Sequence, residues 1–71
     1  MKIDYSKAII SLRVKLNLSQ QALAAYLGVS YGSISRWERG IYEPTKLVKI
    51  KIINLLKEND IKIEECESNE Y

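Results

Sequence analysis

The 71-residue chain has no histidine and a single cysteine, Cys66. An internal disulfide is therefore excluded, and so is a Cys/His zinc cage, because each needs at least two such side chains. Cys66 is read as an ordinary reduced thiol. Catalysis is poorly provided for as well. Cys66 has no histidine to serve as its base, and the acidic residues crowd the C-terminal end, away from the basic part of the chain. We expect no enzyme activity, no metal and no cofactor. No run of about 18 apolar residues offers a membrane span, and Met1, Lys2, Ile3 and Asp4 are not followed by the apolar stretch of a signal peptide. A cytoplasmic protein without membrane contact is expected. Internal repeats and low-complexity runs are also lacking.

The charge that is present is unevenly spread. Residues 1–57 hold ten of the eleven Lys/Arg against Asp4, Glu38 and Glu43, whereas residues 58–71 hold one lysine against six acids. Such a split suits a basic body that meets a polyanion and an acidic tail that faces away from it. The chain is short enough that one core supplies only about 3–5 kcal/mol of net stability, so a second copy or a partner would help.

Helical periodicity dominates the pattern. Asp4 is placed to cap a first helix in which Tyr5, Ala8, Ile9, Leu12 and Leu16 recur at helical spacing, ending near Asn17. Ser19 caps a second helix, Gln20 to Leu27, with Leu23 and Leu27 as core positions and Ala22 and Tyr26 beside them; Leu18 plugs the joint. Gly28 is a helix stop that tolerates positive φ. Ser30 caps a third helix, Tyr31 to Arg39, and Val29 with Ile34 is spaced as a hydrophobic staple. Gly40 ends that helix, Pro44 keeps the following chain extended, and Thr45 caps a fourth helix running to about Glu58.

The fourth helix carries two apolar arcs. Val48, Ile52, Leu55 and Leu56 make one, which suffices for the core; Leu47, Ile50 and Ile53 make the other. The second arc is expected to meet either the tail residues Ile61 and Ile63 or the same helix of a second subunit, and we favour a dimer contact. Residues 61–68 read as a short fifth helix or an extended flap, with disorder expected from Glu67 to Tyr71.

Within Gln20 to Arg39, Leu23, Ala24, Leu27, Val29, Ile34 and Trp37 form an inner face. Tyr31, Gly32, Ser35, Arg36 and Arg39 fall on the opposite one. Ala24 stands where the third helix must pass closely, and Ile34 with Trp37 locks that helix down. Arg13 and Glu38 each lie four residues beyond a core isoleucine, Ile9 and Ile34, so both flank the apolar stripes that face each other. A half-buried carboxylate there needs a partner.

The stretch LSQQALAAYLGVSYGSISRWERG resembles the phage repressor and Cro-like helix-turn-helix proteins, the xenobiotic-response-element (XRE) family. Gln20, Leu23, Ala24, Leu27, Gly28, Val29, Ile34, Trp37, Glu38 and Gly40 stand where that pattern wants them, and the likeness runs from about Tyr5 to Leu56. It implies an all-α, four- or five-helix, lambda-repressor-like DNA-binding domain over residues 1–59, its helix-turn-helix at 20–39, followed by an acidic tail at 60–71. It also implies a third helix that lies in the major groove of double-stranded DNA. By position, Tyr31, Gly32, Ser35 and Arg36 are expected to read bases, and Gln20, Ser30, Ser33, Arg39 and Lys46 to hold phosphates. An ion pair between Arg13 and Glu38 is implied too.

Arg36 is the foremost reader, because a guanidinium bonds guanine O6 and N7 bidentately, worth about 1–3 kcal/mol of discrimination. A phosphate clamp is its alternative use. Tyr31 suits a thymine methyl or a phosphate. Gly32 departs from the pattern, since relatives place a polar side chain there, and it costs the helix roughly 1 kcal/mol relative to alanine. The expected function is a sequence-specific transcriptional regulator, a repressor, of phage or bacterial type, acting as a homodimer. The alternative is an antitoxin or protein-interaction adaptor that uses the exposed face of the fourth helix and the acidic tail toward a partner such as a toxin.

Overall fold

The computed structural model describes residues 3–62, which form four α-helices. These are α1 (Tyr5–Leu16), α2 (Gln20–Leu27), α3 (Tyr31–Glu38) and α4 (Lys46–Glu58). α3 packs against both α2 and α1, and α4 packs against α1. The fold is all-α, as the periodicity predicts.

Local chemistry accounts for where each helix starts. Asp4 accepts from the N–H groups of Ser6 and Lys7, Ser19 from that of Ala22, and Ser30 from that of Ser33. Each bond satisfies a donor that has no partner inside its helix. α4 differs: Thr45 occupies the cap position, but its hydroxyl makes no capping bond.

All four helices end in one way. Asn17, Gly28, Gly40 and Asp60 have φ of 55°, 73°, 75° and 56°, in the left-handed region. The next residue in each case, Leu18, Val29, Ile41 or Ile61, returns its N–H to a carbonyl five residues back, at 2.9–3.0 Å. This is the Schellman closure, and its apolar residue usually packs under the helix it ends. Leu18, Val29 and Ile61 do so against the core; Ile41 remains exposed. Asp60 holds this conformation without being glycine or asparagine, and nothing in its sequence context marks it.

The core consists of Ala8, Ile9, Leu12, Leu23, Ala24, Leu27, Ile34, Trp37, Val48, Ile52, Leu55 and Leu56. Tyr5 and Leu16 pack at its edge. Ala22 and Tyr26, beside the α2 core positions, both face solvent. An eight-residue helix with Leu23, Ala24 and Leu27 inward has no arc left to bury them. α3 also stops one residue earlier than expected, with Arg39 as its C-cap.

The second arc of α4 is uncovered among the described residues. Leu47 is 75% exposed and Ile50 49%, while Ile53 is half-buried. Ile61 does not cover them: it packs on the core and, with Ile10, Ser11, Val14, Lys15 and Asp60, lines a groove beside α1. The Schellman turn at Asp60 sends the chain that way. Ile61 and Lys62 are not helical, and the rest of the suggested fifth helix, with Ile63 and Cys66, lies outside the described residues.

Candidate nucleic-acid interface

α3 is short, about 12 Å at 1.5 Å per residue, and everything that holds it lies on one side. Ile34 is fully buried and Trp37 nearly so, which leaves Tyr31, Arg36 and Arg39 exposed and Gly32 and Ser35 partly so. Val29 packs on the core just before the helix begins, in the staple position relative to Ile34. With Ala24 buried at the α2 side, the two helices approach closely around a turn that Gly28 makes at φ 73°.

A polar lock fixes the far end of α3. Arg13 Nε donates to Glu38 Oε2 at 2.6 Å and Arg13 Nη2 to Glu38 Oε1 at 3.0 Å, a two-pronged pair. The Glu38 side chain is only 9% exposed and that of Arg13 27%. Gln20 Nε2 adds a third donor to Glu38 Oε1 at 3.2 Å, and Arg13 Nη1 reaches the Leu18 carbonyl at 3.4 Å. Ser6 Oγ donates to the main-chain carbonyl of Glu38 at 2.5 Å. The Glu38 carboxylate thus ties the last turn of α1, through Arg13, and the start of α2, through Gln20, to the end of α3, and the Glu38 main-chain carbonyl adds the start of α1 through Ser6. Charge-assisted, two-pronged bonds of this kind fix orientation as well as distance. The Gln20 and Ser6 contacts join residues 18 and 32 positions apart, and no local pattern announces them.

The remaining predicted residues are placed as follows. Ser30 and Ser33 are occupied with the cap: the Ser33 N–H donates to Ser30 Oγ at 3.2 Å, and their hydroxyls lie 2.9 Å apart. Arg39 Nε leans on the Ser35 carbonyl at 3.4 Å. Arg36 folds back along α3, so that a Cβ built on Gly32 would sit 3.7 Å from its Nη1 and 3.9 Å from its Nη2. Lys46 is exposed at the first position of α4. Among the described residues, Arg36, Arg39 and Lys46 enter no ion pair. Lys49, by contrast, pairs with Glu43 at 3.3 Å and lies over the Tyr5 ring, and Lys51 reaches the Leu27 carbonyl.

Among the described residues, none of the four helices has an acid in its first turn. The partial positive charge at the starts of α2, α3 and α4 is therefore not offset by a side chain there, and α4 even begins with a lysine. An anion supplied from outside is the natural complement. No group of three or more metal-ligating side chains occurs among the described residues, and no helix there is long and apolar enough to cross a membrane.

A short helix held across two others by a glycine turn, with its polar face outward, defines the helix-turn-helix class of DNA-binding domains. Residues 9–62 match the helix-turn-helix family model, and the chain belongs to that family, in its XRE-type, lambda repressor and Cro-like branch. No curated protein and no solved structure matches the chain. Family and fold together make it a DNA-binding helix-turn-helix regulator of transcription.

Proposed function

We propose that the protein is a sequence-specific repressor that inserts α3 into the major groove and binds a two-fold operator as a homodimer. The observation that carries this reading is the division of α3 into a clamped inner face and an outer face on which Arg36 and Arg39 stand without ion-pair partners among the described residues. Tyr31, Gly32, Ser35 and Arg36 present the reading edge, and Arg36 discriminates guanine. Gln20, Ser30, Ser33 and Lys46, at helix starts whose positive ends attract anions, hold the phosphates around it, together with Arg39 at the C-terminal end of α3. Gln20 then serves both the phosphate and Glu38, so that backbone contact and helix orientation are linked through one side chain.

Two copies are needed because a single eight-residue helix presents few readers, one of which is a glycine. Leu47, Ile50 and Ile53 supply the contact between copies, and half-sites about one helical turn of DNA apart follow from it. Repression follows from occupancy of the site.

The test is selection from a random-sequence duplex library followed by mobility-shift titration. Enrichment of a two-fold motif, lost on Arg36→Ala, is expected, together with a steep linear fall of log affinity with log salt. Absence of any enriched sequence, with Arg36→Ala indistinguishable from the parent, refutes the reading. The uncovered Leu47 and Ile50 equally suit a protein partner, as in an antitoxin or adaptor. Copurification of a basic protein whose binding requires those two side chains would favour that role, and it is compatible with DNA binding.

A further inference from the structure

We infer that Gly32 is a specificity-determining residue that acts through Arg36, by leaving the groove-facing surface of α3 bare so that the Arg36 guanidinium lies along it. The inference rests on the proposed DNA-reading role of α3 and deepens it.

Residues 32 and 36 are one turn apart on the same face, and a helical side chain leans toward the N-terminus of its helix. A long side chain at 36 is therefore directed over position 32. In this structure it takes that course: both terminal nitrogens of Arg36, and its central carbon at 4.0 Å, are within contact range of where a Gly32 Cβ would be. A methyl there meets them at ordinary van der Waals distance. Anything longer occupies the space of the guanidinium itself and forces it away from the helix.

Three consequences follow. The fork of Arg36 is delivered toward the N-terminal half of α3, the part that meets base edges in this docking geometry. One side chain then serves the base pair that residue 32 would otherwise face, and the reading edge contracts to a guanine contact with little beside it. The glycine is explained as well, since its helix-propensity penalty is incurred at a position with φ in the ordinary helical range, where no turn requires it.

The experiment compares four full-length proteins in the same duplex selection: the parent, Gly32→Ala, Gly32→Leu and Arg36→Ala, each first checked for helical content. The parent is expected to require one guanine per half-site, with about a 5- to 150-fold loss when that base pair is changed, the range that a bidentate contact supports. Gly32→Ala keeps the same guanine at the same position. Gly32→Leu, which retains Arg36 and adds no polar reader, moves the preferred guanine along the site or loses it. Arg36→Ala abolishes the preference. If Gly32→Leu selects the same guanine at the same position and strength as the parent, the inference is overturned while the DNA-reading role survives. If the parent selects no sequence at all, that role and the inference fall together. A Gly32→Leu protein that does not fold is replaced by Gly32→Gln, for which an unchanged guanine position is again the contradicting result.

Discussion

The two ends of α3 and the exposed face of α4 are built to opposite rules. α3 is fixed from within: its start is capped by Ser30, its side is held by Ile34 and Trp37, and its end carries a carboxylate with three side-chain donors. α4 buries one arc fully and leaves the other bare, begins without a side-chain cap, and has an exposed Lys49–Glu43 pair as its ionic contact. A helix that must be aimed needs every degree of freedom removed before its ligand arrives, because ordering it on binding would subtract from affinity. A helix that is to be covered by another molecule does not. The contrast separates a surface that the chain itself fixes from one that it leaves bare among the described residues.

That contrast can be broken most forcefully in the core under α3. Ile34→Ala removes a fully buried branched side chain and is expected to cost about 2–5 kcal/mol, comparable to the whole net stability of a domain this size. Urea melts followed by circular dichroism should show a chain largely unfolded at 37 °C. Next comes the lock. Glu38→Gln leaves the Arg13 guanidinium facing a neutral amide, with an expected loss of about 2–3 kcal/mol. This is below the roughly 3–5 kcal/mol of a fully buried pair because Arg13 keeps some solvent. The same melts read this loss, and DNA affinity should fall further than stability alone dictates, since α3 is no longer aimed.

On α4 the expectation is reversed. Leu47→Ser with Ile50→Ser should leave the stability of the dilute monomer within about 0.5 kcal/mol per site, as for surface positions generally. Sedimentation equilibrium, however, should show self-association lost. A large stability loss in the monomer would mean that this arc is core after all. The smallest effect belongs to the α4 cap. Thr45→Asp supplies both a better acceptor and a negative charge at the positive helix end, and thermal melts should show a gain of about 0.5–1 kcal/mol.

Much of the reading unit was legible in the sequence because its instructions are local. Ser19 and Ser30 cap through their own neighbours, Asn17 and Gly28 turn where left-handed backbone is cheap, and the spacing of Leu23, Leu27, Ile34 and Trp37 settles which face is buried. What escaped depends on distance or on competition. Gln20 reaches Glu38 only once α2 and α3 are folded together, and its sequence neighbours suggest a cap residue free for phosphate. Ser6 is an unremarked helix residue until the end of α3 arrives beside it. Gly32 looked like a missing reader, whereas its bare surface is where Arg36 lies.

The proposed function requires that α3 meet DNA and that the bare arc of α4 meet protein. An NMR titration of the labelled full-length chain, first with a selected duplex at low protein concentration and then with rising protein concentration without DNA, separates the two. The account predicts that duplex shifts the amides of Gln20, Tyr31 to Arg36, Arg39 and Lys46, whereas concentration alone shifts Leu47, Ile50 and Ile53. Duplex-induced shifts centred on Leu47, Ile50 and Ile53, with Tyr31 to Arg36 unmoved, would contradict it.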